Sequence, residues 1–143
     1  PTPNNTHRNS SAASDVYKRQ IFIYAVGHPH PLKAEAQNFF IQSSQKGKRL
    51  VTSAEVLQEL LHAYLPVGRL VTLDAAMSLA VKGVDQIFPI DSAAVLHAHN
   101  LINQHPGLTA RDLVHLAVCH QHQVTDIKTF DRNLHVAFAK KQG

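Results

Sequence analysis

The chain has 143 residues, 44% of them hydrophobic, and a formal charge of +4; it is one domain by the usual ~100–200 residues per domain and can bury a core without disulfides or structural metal. Its lone Cys119 excludes an intramolecular disulfide and any zinc site needing two cysteines, and no apolar run approaches the ~20 residues of a membrane span or forms a signal peptide, so a soluble cytoplasmic protein is expected. Arg8, Lys18 and Arg19 against Asp15 supply +2 of the charge before residue 21, leaving 11 basic and 9 acidic groups elsewhere; such a balance permits a polyanionic partner without requiring one.

Residues 1–14 are polar and lack apolar periodicity, a composition that cannot offset the entropy of ordering. The segment Ser10 to Gln20 also resembles a peptide that recurs as translated adapter sequence at the front of unrelated genes. Residues 1–20 therefore read as a disordered or artefactual segment, and the domain proper as 21–143. Ile21-Phe22-Ile23-Tyr24-Ala25-Val26 has strand composition, with a helical turn as the alternative at this length. After the break at Gly27 to Pro31, Leu32 to Ser44 places Ala36, Phe39 and Phe40 at helical spacing. Arg49 to Thr52 reads as a strand. Thr52-x-x-Glu55 is a capping box for the next helix, whose stripe is Val56, Leu57, Leu60, Leu61 and Tyr64, ending at Pro66-Val67-Gly68.

Leu73 to Lys82 is a weaker helix. Gln86 to Ile90 suggests an edge strand, because Pro89 cannot donate to a central ladder. Asp91 or Ser92 can cap a helix running to Asn103, with Ala94, Val95, Ala98, Leu101 and Ile102 inward. Thr109-x-x-Asp112 opens a long helix ending near His122, and Val124 to Lys128 is a strand. Strands separated by helices imply a mostly parallel sheet flanked by helices, a three-layer α/β fold.

Carboxylates carry the chemistry. A helix joined by a short turn to the next strand runs antiparallel to it, so the start of the helix and the end of the strand share one edge. Asp112 and Asp131 become neighbours there, at the strand ends where open α/β sheets bind ligands. Glu59, inside the earlier helix, is a third candidate acid. Clustered carboxylates repel unless a cation intervenes, and Mg²⁺ or Mn²⁺ takes oxygen ligands while bridging to phosphate. Such an ion activates water for phosphodiester cleavage.

From Ile21 onward the chain resembles a PIN-domain ribonuclease, most nearly the VapC-type toxins of bacterial toxin–antitoxin pairs. The resemblance rests on Ile21-Phe22-Ile23-Tyr24-Ala25, on Thr52-Ser53-Ala54-x-Val56-Leu57-x-Glu59-Leu60-Leu61, on Leu108-Thr109-Ala110-Arg111-Asp112-x-x-His115-Leu116-Ala117 and on Thr129-Phe130-Asp131-Arg132-Asn133. It implies a PIN-like fold, a metal-dependent endoribonuclease, and Glu59, Asp112 and Asp131 as Mg²⁺- or Mn²⁺-binding acids, with Thr129 as polar support. His115 lies below Asp112 and reads as core packing or carboxylate support. Arg111 and Arg132, among the nearby basic residues, are candidates to orient the phosphodiester. An RNA substrate, a cognate antitoxin and a homodimer are implied as partners.

The family also places an Asp-x-Asn directly before the Ile21 run, where this chain has Lys18 and Gln20. The departure falls inside the adapter-like segment and implies impaired activity. It also implies that the Ile21 run begins a helical turn and that the first strand is missing or imitated by Asp15 to Lys18.

Other readings compete. Glu59 could be a solvated helix residue, Asp112 a charge at a helix N-terminus, and Asp131 a turn residue. The pairs His28 and His30, His97 and His99, and His120 and His122 lack a zinc spacing, and the last two pairs point apart on helices. Glu59-x-x-His62 and Asp112-x-x-His115 imitate di-iron bundle motifs, but the β-branched runs and Pro breaks argue for a mixed fold. The non-enzymatic rival is an RNA-binding or partner-binding domain that keeps this fold.

Overall fold

The computed structural model describes residues 15–18, 31–129 and 134–138. Its elements are β1 (Asp15–Lys18), α1 (Pro31–Gln45), β2 (Arg49–Ser53), α2 (Ala54–Tyr64), α3 (Leu70–Gly83), β3 (Gln86–Phe88), α4 (Ser92–Asn100), a 3-10 turn (Ile102–Gln104), α5 (Ala110–Gln121) and β4 (Asp126–Lys128). Residues 134–138 are also helical. The strands form one parallel sheet in the order β3-β2-β1-β4. With helices intervening between the strands, this is the expected α/β architecture.

Of the two expectations for the first strand, missing or imitated, the second describes the fold: Asp15–Lys18 takes that place. Asp15–Lys18 lies inside the sheet, with Tyr17 opposite both Val51 of β2 and Ile127 of β4. It comes from the segment that the sequence reading set apart, and the buried Tyr17 ring joins the core with Val51, Leu60 and Leu116. The Ile21 to Val26 run, whose strand or helical-turn assignment was left open, lies outside the described residues, as do Asp131 and Arg132.

Two of the local expectations change on inspection of side chains. The Thr52 and Glu55 capping box does not form: Thr52 is buried in β2, and the helix is capped at Ser53 without a side-chain cap bond. Ser53 instead turns its hydroxyl into the core. The helix after Asp91 stops at Asn100, and Ile102–Gln104 tightens into a 3-10 turn. Ala94, Ala98 and Leu101 are buried as expected, whereas Val95 and Ile102 are exposed, and so is Leu61 of α2. A helix face that meets only one neighbouring layer buries a stripe narrower than its apolar residues could cover.

Other punctuation behaves as its chemistry dictates. Asp91 caps α4, its Oδ1 accepting from the Ala94 N–H at 2.8 Å. The Pro-containing stretch after β3 follows an edge strand, since β3 ends the sheet order. Between α5 and β4, Gln123 adopts φ 57° and the Val124 N–H donates to the Cys119 carbonyl at 2.9 Å. A left-handed residue thus ends α5 and satisfies a terminal carbonyl, at a position where glycine is the usual choice.

All described strands run the same way, so their carboxyl ends, Lys18, Ser53, Phe88 and Lys128, lie along one edge. Helix α2 starts there directly after Ser53. Helix α5 leads by a tight turn into β4, so its first turn also reaches this edge.

Candidate functional site

Helix α5 is fixed at its start by the sequence Thr109-Ala110-Arg111-Asp112. Thr109 Oγ1 accepts from the Asp112 N–H at 3.2 Å, and Asp112 Oδ2 accepts from the Thr109 N–H at 3.0 Å. Two backbone donors that a helix leaves unsatisfied are thereby engaged. Asp112 is only 3% exposed, so it is a carboxylate held inside the fold by a helix start. The reading of Asp112 as a helix-terminal charge is correct as far as it goes. Its burial distinguishes it from a solvated capping residue.

One turn further, His115 is fully buried and bridges two elements. Its Nε2 lies 3.0 Å from Glu59 Oε1 on α2, and its Nδ1 lies 2.6 Å from Tyr17 Oη on β1. Tyr17 Oη is also 2.6 Å from Ser53 Oγ at the end of β2. The Tyr17 and His115 rings meet edge to face, with centroids 5.5 Å apart. His115 thus packs in the core, and the carboxylate it hydrogen-bonds is that of Glu59. The solvated-helix reading of Glu59 gives way to a side chain that is 14% exposed and tied to α5.

The structure thus draws Glu59 toward the first turns of α5, where Asp112 sits. Arg111, 41% exposed, places Nε 3.9 Å from Glu55 Oε2. Its guanidinium remains accessible near the acids, and Glu55 has an ion-pair partner in place of its expected capping role. Thr129 follows β4 at the same edge and is half-buried. Lys18 ends β1 and stands opposite Lys128 in the strand register.

Among the described residues, no three His, Cys, Asp or Glu side chains form a metal-holding group. The chemistry of two of the expected donors nevertheless fits a hard cation: Glu59 and Asp112 offer carboxylate oxygens of the type that Mg²⁺ and Mn²⁺ take, while Asp131 lies outside the described residues. The histidine pairs also separate into different environments. His97 and His120 meet across α4 and α5, with Nε2 3.0 Å from Nδ1, while His122 stacks on Phe88 at a centroid distance of 3.8 Å. His120 and His122 thus have different partners, and His122 lies just past the last helical residue of α5.

Sequence reasoning missed Tyr17 and Ser53. Ser53 stands inside one of the four motifs without being singled out, and no local signal marks Tyr17, which meets His115 across 98 positions. Comparison with known proteins places the chain in a family. The PIN domain family model matches residues 19–140. The chain is 53% identical over 118 residues to Ribonuclease VapC23 of Mycobacterium tuberculosis, covering 82% of this chain and 93% of that protein. It is 38% identical over 110 residues to VapC ribonuclease Mb1869c of Mycobacterium bovis, covering 77% and 84% respectively. The fold matches the crystal structure of Mycobacterium tuberculosis VapC20, described as a Sarcin-Ricin loop cleaving toxin, with a TM-score of 0.71 and 16% identity, over 85% of this chain and 94% of that one. The chain is a VapC-type member of the PIN-domain family.

Proposed function

We propose that this protein is an endoribonuclease, the RNA-cleaving toxin of a toxin–antitoxin pair, and that its cleavage depends on a divalent cation. The observation that carries the reading is the 53% identity to Ribonuclease VapC23 across 93% of that protein. The convergence of Glu59 with the first turns of α5 supports it. In this reading Glu59, Asp112 and Asp131 hold Mg²⁺ or Mn²⁺, with Thr129 and His115 as support. The cation supplies charge that lowers the pKa of water and offsets charge on the attacked phosphate.

The chain's own residues do the rest. The capping box fixes Asp112, and packing of α2 against α5 at His115 fixes Glu59. Arg111 and Arg132 orient the phosphodiester, since guanidinium groups match phosphate oxygens in a two-point geometry. A cognate antitoxin would act by covering the acidic edge.

Lys18 motivates the finer part of the proposal. It ends β1 at the sheet edge that carries the acids, where the family has an Asp. We infer that activity of this chain is impaired. Mn²⁺ titration and RNA cleavage, compared between this chain and Lys18→Asp, test the point. Stronger binding and faster metal-dependent cutting by Lys18→Asp are expected, and equal affinity with equal cleavage would refute it. The same residue favours the rival of a non-cleaving RNA-binding domain. That rival requires salt-sensitive RNA binding, no metal-dependent cutting in either version, and indifference to Asp112→Asn.

A further inference from the structure

We propose that Tyr17 and His115 are positioning residues for Glu59, acting through a directed chain of hydrogen bonds that runs Ser53, Tyr17, His115, Glu59. The inference deepens the reading of Glu59 as a cation-holding acid and rests on it.

The direction follows from what each atom can do. An ionised carboxylate only accepts, so His115 Nε2 donates to Glu59 Oε1. With the ring neutral, Nδ1 carries no hydrogen and accepts from the Tyr17 hydroxyl at 2.6 Å. Having donated its proton, Tyr17 Oη accepts from the Ser53 hydroxyl, also at 2.6 Å. Every hydrogen in the chain points toward Glu59. The ring is held in one tautomer and the Glu59 carboxylate in one orientation.

Burial makes this specific. Tyr17, Ser53 and His115 are all 0% exposed, so water cannot readily take the place of a lost partner, and a severed link leaves an unsatisfied buried group. The chain also gives β1 a function at the site through position 17. In this chain, position 17 reaches Glu59 by way of His115. Partners of this kind, which hold the ligands of a cation in place, typically contribute ~10–100-fold in affinity.

Two measurements on the full chain test the proposal separately. Nitrogen-15 NMR of the histidine rings is expected to show His115 as the Nε2–H tautomer, with the Nδ1 resonance moving toward that of an unbonded ring nitrogen in Tyr17→Phe, which removes one hydroxyl and keeps the ring. Should Tyr17→Phe fail to fold, Glu59→Gln perturbs the other end of the chain and is expected to shift the Nε2 resonance. An Nδ1–H tautomer, a doubly protonated ring, or a pattern unmoved by either substitution would overturn the hydrogen-bond chain.

Mn²⁺ titration is expected to show affinity falling several-fold in Tyr17→Phe and ~10–100-fold in His115→Leu. Partial recovery is expected in His115→Gln, whose amide N–H can still donate to Glu59. Equal affinity in the unsubstituted chain and His115→Leu, with affinity lost in Glu59→Gln, would overturn positioning and leave the acid site standing. No Mn²⁺ binding even by Lys18→Asp, or binding unchanged by Glu59→Gln, would overturn the acid site and with it the purpose assigned here. The ring signature would then still decide whether the chain of hydrogen bonds exists.

Discussion

Helices α5 and α3 are of similar length, 12 and 14 residues, and they use their faces in opposite ways. Helix α5 is capped by Thr109 and Asp112 and buries a run that includes two polar side chains, Asp112 and His115. Helix α3 starts at Arg69 without a side-chain cap bond, buries only Leu73, Ala76 and Ala80, and leaves Val71 85% exposed. A buried polar group is tolerated only where a specific partner satisfies it. Polar burial in α5 therefore demands fixed geometry, whereas α3 needs only apolar residues against a neighbour. The contrast separates a helix that places chemistry from one that completes the scaffold.

The most severe test of this contrast is Asp112→Asn in the Lys18→Asp version. The amide oxygen can still accept from the Thr109 N–H, so the cap survives and the thermal midpoint should move little. RNA cleavage should fall by more than the ~10–100-fold that loss of a supporting partner costs. A large drop in stability with cleavage retained would reverse the roles. Truncation in the core comes next. Leu116→Ala, at a fully buried position, should cost about 2–5 kcal/mol in urea unfolding.

The cap itself ranks below the core. Thr109→Ala should cost about 0.5–2 kcal/mol, measured the same way, without removing an acid. The buried Cys119 gives a pH-dependent effect of comparable size. Burial pushes its thiol well above the ordinary value, so folding favours the protonated form. That contribution is present below the unfolded thiol value near ~8.5 and is lost as pH rises above it, at no more than about 1.4 kcal/mol per pH unit. Denaturation curves between pH 7 and pH 10, compared with Cys119→Ala, should show the larger alkaline loss in the parent, and the native thiol should resist alkylation. Smallest of all, Val71→Ser on α3 should shift stability by less than about 0.5 kcal/mol, because the side chain is already in solvent.

Much of this was legible without coordinates because it depends on neighbours in sequence. The helical spacing around Ala36, the turn at Pro66 to Gly68, the cap at Asp91 and the edge placement of β3 follow from local sterics and local hydrogen bonding. Thr109-x-x-Asp112 announced a helix start, and the order of the four motifs led to the family. The same local rule failed at Thr52-x-x-Glu55, where Thr52 was drawn into the sheet and Ser53 into the core, since tertiary partners there outweighed a surface cap.

By itself, then, the amino-acid order determined where helices and strands alternate, which acids are candidates and which family they belong to, all of which rest on short-range periodicity and motif spacing. Only the tertiary structure decided that Asp15–Lys18 supplies an inner strand, that Asp112 is buried while serving as a cap, and that Tyr17 reaches His115 and Ser53. Those outcomes depend on whether a polar group taken out of water finds its partner far along the chain. That is a property of packing in three dimensions, which spacing in one dimension does not encode.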